Sequence, residues 1–431
     1  MSINGKKLRL TEDGSATTAG LFFIAVSLSV YVLFRYTLIP ASFAWNGGAE
    51  LPGLFSASNL CRLLVCFLAA YALFALTYFM QGKPLKETLG FPFIFLLTVA
   101  ASLVGGCQTL VDWGLETVIF SLLTGLLINR LFGTPAWIRK ALSSELYIKI
   151  GLIFLGASIL FQHLLKSGAL GLIQSVVVVF SVWHFSFWLC KRFKIDRELS
   201  VMLSSAVSIC GVSAAIASAG AIKGDPKKLS CAVSLVLLVA APMIVIMPFL
   251  AGLIGLNETV AGAWIGGTVD TTGAVVATAT LYGEEALRTS TIVKFSQNIL
   301  LGVAAFFIAV YWNCTENGSK EGAAAEKPGL RFIWERFPKF VLGFIFVSLV
   351  FSFFFSGEAY KPVVDSLKKF QNLWFTLGFV SIGLETDFKA LVNRENRKAG
   401  LVFLGAQAFN VILTLLVACL VFGVNWNTLF K

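Results

Sequence analysis

Apolar runs of 18 residues or more recur along this chain from Ala19 to Phe422, separated mostly by short charged or glycine-containing loops. A run of that length crosses a hydrocarbon layer of about 30 Å as a helix, and a globular core has no room for so many. The 57% hydrophobic and 13% charged composition points the same way. The chain reads as an all-α polytopic membrane protein.

Thirteen candidate spans follow: 19–39, 59–80, 91–111, 115–132, 146–163, 168–190, 200–222, 229–254, 260–281, 289–312, 338–356, 372–390 and 398–423. The first is too long for a signal peptide and is expected to stay as a membrane helix. The net charge of +11 sits largely in short loops, as in cytoplasmic loops beside an anionic leaflet, so a nucleic-acid partner is rejected. A cytoplasmic N-terminus places about 20 Lys and Arg inside and about 9 outside. On that count Lys223, Lys227 and Lys228 fall on the wrong side.

One span differs from the rest. Ser204 to Ile222 is mostly Ser, Ala, Gly and Cys in a chain crowded with Phe and Leu. Small residues do nothing for a lipid-facing helix but let buried backbones approach closely. The step Ser208-Ile209-Cys210-Gly211-Val212-Ser213 also puts a poor helix former at mid-span. An interrupted membrane helix at a solute site is the expectation; a continuous, tightly packed helix is the alternative.

From residue 113 onward, five spans are followed by five more, and an odd number forces the second set to run upside down. The expected organisation is therefore extra N-terminal helices over 1–112, a first repeat over 113–256 and an inverted second repeat over 257–431. The fourth member of the second set, 372–390, carries Ser381, Gly383 and Glu385 and is expected to be the antiparallel broken partner of 200–222. Residues 331–337, aromatic and basic together, read as a short interfacial helix.

Asp270 lies near the middle of its span, in Gly266-Gly267-Thr268-Val269-Asp270-Thr271-Thr272. A carboxylate at that depth costs about 2.5–3.5 kcal/mol on insertion scales, so it should face a cavity, a partner or a proton path. Lys294 is its natural partner if it does not snorkel to the surface, with Gln297 and Asn298 about one turn on. N-termini of half-helices favour an anion. Glu385 could balance such a dipole, bind a cation or cap the span. Asp270 and Glu385 are the candidates for coupling to H+ or Na+.

Other chemistries find little footing. The eight cysteines form no C-x-x-C pair, so neither a disulfide framework nor a metal site is indicated, and no cofactor is implied. His163 and His184 stand alone near span ends or aromatic faces, and Gly211-Val212-Ser213-Ala214 lacks the second glycine of a nucleophile turn, so an enzyme is not expected.

Ser208-Ile209-Cys210-Gly211-Val212-Ser213-Ala214-Ala215-Ile216 resembles the S-I-C-G-x-S-A-I signature of the YeiH-type family of bacterial membrane proteins, labelled sulfate exporters. Leu146 to Leu160, Ile292-Val293-Lys294 and Ser381-Ile382-Gly383-Leu384 also fit, and the match covers roughly Leu115 to Phe422. The resemblance implies a fold like that of sodium/proton antiporters and bile-acid symporters: two discontinuous helices crossing at the substrate site, elevator-like movement and a homodimer in the bacterial inner membrane. The chain departs from the family's pattern where Asp270-Thr271-Thr272 replaces a His-Glu pair, and where Gln297 or Asn298 replaces an Arg. A secondary transporter of a small anion such as sulfate or a sulfonate is the expectation, with Ser208, Cys210, Gly211, Ser213, Asp270, Thr271, Thr272, Lys294, Gln297, Asn298, Ser381 and Gly383 at the site. The alternatives are a cation/proton antiporter and a non-transporting scaffold or receptor subunit.

Overall fold

A computed structural model describes residues 2–3, 6–7, 10–46, 50–112, 116–316, 334, 337–355, 357–386 and 397–423. The described chain is nearly all helical. In order the main helices are α1 (Glu12–Phe34), α2 (Ala57–Gln81), α3 (Phe91–Gly105), α4 (Thr117–Phe132), α5 (Ser144–Leu155), α6 (Phe161–Arg192), α7 (Arg197–Ser208) and α8 (Val212–Ile222). They continue as α9 (Pro226–Ile254), α10 (Glu258–Thr268), α11 (Thr272–Thr280), α12 (Glu284–Glu316), α13 (Lys339–Phe354), α14 (Lys361–Glu385) and α15 (Arg397–Phe422). Among the described residues, eight helices are long and apolar enough to cross a membrane. Large side chains such as Leu33, Phe79, Phe249 and Leu253 stand exposed on them, as lipid-facing residues would. This is a multi-pass membrane protein. Only Trp334 and Phe337 of the expected interfacial helix fall among the described residues.

The helices form two compact units, one of residues 1–162 and 339–386, the other of residues 163–338 and 387–431. In the first unit α14 packs against both α4 and α5, over a core that includes Tyr147, Phe370, Trp374 and Phe154. The break expected in 372–390 is absent from its described part: α14 runs unbroken to Glu385. Its small residues have another cause. A Cβ on Gly383 would lie 2.5 Å from the Leu122 carbonyl, and one on Gly125 would lie 2.3 Å from the Val380 carbonyl, so the two helices touch backbone to backbone. Ser381 is fully buried within this packing. The Glu385 carboxylate accepts from Ser144 Oγ (2.6 Å) and Ser144 N (3.3 Å), so it sits at the N-terminus of α5, a helix other than its own, which Ser143 leaves uncapped.

Among the described residues, the second unit holds two interruptions, in 200–222 and in 260–281. Neither segment is a helix broken in mid-crossing. α7 stops at Ser208; Gly211, at φ +64°, sends its N–H back to the Ala206 carbonyl, and the left-handed residue reverses the chain. α8 then returns alongside α7, so that the start of one meets the end of the other. Glu198 accepts from Asp225 N (3.1 Å), and Lys228 pairs with Asp196 (2.7 Å) and Glu198 (3.1 Å). α10 and α11 form a second hairpin. Glu258, at the start of α10, accepts from Glu285 N (2.8 Å) just beyond the end of α11, and the Tyr282 hydroxyl donates to the Leu256 carbonyl. Legs of 9 to 12 residues reach roughly 13–18 Å, about half a bilayer core.

The second unit thus carries two re-entrant hairpins, α7–α8 and α10–α11, joined in the chain by the long helix α9. Among the described residues the second interruption falls in the first span of the second set of five, where the fourth was expected. The awkward lysines also find their place: Lys223, Lys227 and Lys228 belong to the same end of this unit as Lys194 and Arg197.

α12 fixes the second hairpin. A Cβ on Gly262 would lie 2.6 Å from the Ala286 carbonyl, and one on Gly266 2.5 Å from that of Ser290. Two contacts with the same offset mean that α10 and α12 run in parallel, backbone against backbone. Gly266→Leu has nowhere to place its side chain and is expected to lower stability by about 1–3 kcal/mol or more, as overpacking does. Gly252→Ala, within a helix and where a Cβ meets nothing within 4 Å, should be neutral to stabilising, by up to about 1 kcal/mol. Thermal unfolding in detergent reads both.

Candidate functional site

The two hairpins meet at their tips. A Cβ on Gly211 would lie 3.2 Å from Asp270 Cβ and 3.3 Å from Thr271 Cγ2. The C-terminal ends of α7 and α10 and the N-terminal ends of α8 and α11 thus come together inside one unit. A helix leaves its last carbonyls and first N–H groups without partners, and burying them unmatched is costly.

The carbonyls are matched by side chains. Lys294 Nζ donates to Ile209 O (2.7 Å), to Val269 O (2.9 Å) and to Gln297 Oε1 (2.9 Å). Gln297 Nε2 donates to Ser208 O (2.9 Å) and Gly267 O (3.2 Å), so one turn of α12 serves both tips. Asn410 Nδ2 on α15 bridges Val207 O (3.1 Å) and Thr268 O (3.2 Å), and Gln407 Nε2 reaches Thr268 O (2.9 Å). Thr414 orients Asn410 through its amide oxygen (2.8 Å). At the end of α7 the five carbonyls from Ser205 to Ile209, the residue just past it, all have a donor.

The N-terminal ends are treated differently. Thr271 caps α11 by accepting from Ala274 N (3.2 Å), while Gly211 has no side chain with which to cap α8. Beside them Asp270, 2% exposed, has both carboxylate oxygens buried with no hydrogen-bond partner. Its charge lies within Coulombic reach of Lys294. Asn298 Nδ2 touches Thr272 Oγ1 (3.4 Å), and its own Oδ1 is also unmatched.

Among the residues expected at the site, Ser208, Cys210, Gly211, Asp270, Thr271, Thr272, Lys294, Gln297 and Asn298 gather at the tips. The Ser208 hydroxyl is spent on the Ser204 carbonyl (2.7 Å), so the residue contributes its carbonyl. Ser213 is exposed on α8. Ser381, Gly383 and Glu385 belong to the first unit and serve its packing and capping. Sequence reading missed Gln407 and Asn410. Their signal was there: amides at i and i+3, then a Thr four further on, on one face of an otherwise apolar helix.

A sequence profile described as Conserved hypothetical protein 698 matches residues 89–402, which hold every tip residue except those on the later part of α15. The chain belongs to this family. A UPF0324 membrane protein of Rhodopirellula baltica is 38% identical over 377 residues, 85% of this chain and 69% of its own length. One from Nitratidesulfovibrio vulgaris is 35% identical over 379 residues, 84% of this chain and 65% of its own, so the chain spans about two thirds of these relatives. One from Nitrosomonas europaea is 28% identical over 476 residues and is covered nearly end to end, at 95%. No solved structure matches. The relatives' names give a membrane location and no activity.

The re-entrant geometry has a direct check. In a background without accessible cysteines, Lys194→Cys and Lys227→Cys should react with a membrane-impermeant maleimide from the same side of intact vesicles. Leu256→Cys and Glu285→Cys should share the opposite side. Labelling of Lys194→Cys and Lys227→Cys from different sides would restore a fully crossing 197–222 segment.

Proposed function

We propose that the chain is a secondary active transporter of a small anion, coupled to protons through Asp270. The observation that carries this reading is the buried carboxylate of Asp270, without a hydrogen bond, beside the N-termini of α8 and α11. Each helix end carries about half an elementary charge. Two C-termini therefore balance the Lys294 ammonium, and two N-termini balance ionised Asp270. Protonating Asp270 leaves the N-termini unopposed, and the tips then attract an anion. Anion and proton load together, so a proton gradient drives the solute.

The re-entrant hairpins support the transport class, because irregular backbone at membrane depth is tolerated only where it is buried in protein or lines a cavity. Sulfate, a sulfonate or another compact organic anion fits two N–H-bearing helix ends better than a bulky solute does. In this reading the protein lies in a bacterial inner membrane with the Lys194 and Lys227 ends in the cytoplasm, following the excess of Lys and Arg there. A cation/proton antiporter is the second reading. It is favoured by the unmatched oxygens of Asp270 and Asn298, which are acceptors awaiting a cation.

Flux in proteoliposomes, over a panel of oxyanions, sulfonates and carboxylates with and without a pH gradient, tests the proposal. Asp270→Asn mimics the protonated state. It should exchange the anion independently of pH while losing most gradient-driven accumulation. Undiminished accumulation by that variant would remove Asp270 from the coupling. Flux that follows sodium and ignores the anion would favour the antiporter.

A further inference from the structure

Lys294 stands where the architecture calls for a bound cation. The ends of α7 and α10 lie side by side, and their two C-terminal half-charges sum to about one negative charge. In membrane proteins built on interrupted helices, such ends and their unwound carbonyls hold a sodium ion or a proton. Here the ligands such an ion would use, Ile209 O, Val269 O and Gln297 Oε1, all accept from the Lys294 ammonium at 2.7–2.9 Å. An ammonium has three donors, and these three oxygens match them. The side chain is 1% exposed and comes from α12, whose seat beside α10 is set by the backbone contacts at Gly262 and Gly266. The charge is delivered by the chain to one fixed point.

We propose that Lys294 is a tethered cation that takes the place of a sodium ion at the paired hairpin tips. Removing its side chain while leaving the space uncovers a monovalent-cation site made of Ile209 O, Val269 O and Gln297 Oε1. Lys294 on this view is a positioning residue for the two tips and does not hold the solute. The proposal rests on the transporter reading only for its consequence in flux, which is independence from sodium; the site itself rests on the geometry of the tips.

The test uses the full chain, purified in detergent, with thermal unfolding followed in sodium, potassium and choline chloride at equal ionic strength. A cation that binds only the folded state raises the midpoint. The wild-type protein should unfold at the same temperature in all three salts. Lys294→Ala and Lys294→Ser, which leave room for an ion, should be destabilised in choline and recover by several degrees in sodium, with saturation. Lys294→Met, which fills the space without charge, should be destabilised and stay indifferent to the salt.

Three results would overturn the proposal: a wild-type midpoint that needs sodium, Ala and Ser variants that no cation restores, or a Met variant restored like the Ala variant. Should the Ala and Ser variants be recoverable as folded protein only when prepared in sodium, that outcome supports it. None of these readouts requires transport. Failure of the Asp270→Asn flux experiment therefore leaves this result standing, and the converse also holds.

Discussion

One ammonium group holds the two hairpin tips together. Without the Lys294 side chain, the carbonyls of Ile209 and Val269 would be buried without a donor, and two helix C-termini would face each other with the same sign of charge. Unmatched groups cost several kcal/mol each in a medium without water, so tips of this kind form only where a cation and amides are already in place. Lys294 and Gln297 on α12, with Gln407 and Asn410 on α15, supply them. The glycines at 262 and 266 follow from that requirement. A side chain of fixed length delivers Nζ between both tips only if α12 lies against α10 with no methyl between them.

The two faces of the tip cluster are unequal in a way that bears on function. On the carbonyl face every group traced from Ser205 to Ile209 has a donor, and the arrangement has no reason to change. On the amide face Gly211 offers no cap and Asp270 accepts nothing. Rigid support on one side and unmet hydrogen-bonding capacity on the other is how a site keeps its shape while exchanging what it holds.

Composition made the membrane class legible, and Gly211 marked the first interruption as a poor helix former among small residues; Asp270 stood out as a carboxylate at mid-span, but the break beside it was not read from it. The direction of the chain beyond each break was not legible. Ser204 to Ile222 has the length of a crossing helix whether it continues or turns back. What decides is the left-handed backbone at Gly211 and the contacts of Asp196 and Glu198 with Asp225 and Lys228, which no local pattern records. Lys223, Lys227 and Lys228 carried the missing information as a charge on the wrong side of a thirteen-span count. Because the segment turns back, those lysines share one end of the unit with Lys194 and Arg197.

Gly383 misled for the complementary reason. A small polar interruption in an apolar run is produced by two different demands, a broken backbone and a close helix–helix approach, and the residue types are the same. They differ in the partner. Gly383 faces the Leu122 carbonyl and Gly125 on α4, a glycine meeting a glycine, whereas Gly211 faces Val236 on α9 and, from the second interruption, Asp270 and Thr271. A small residue opposite another small residue in a continuous helix marks packing. A small residue opposite a charge marks a place where the backbone has left its own hydrogen-bond ladder and needs help from elsewhere. In this chain that help is concentrated on α12, and the solute chemistry proposed for the tips depends on it.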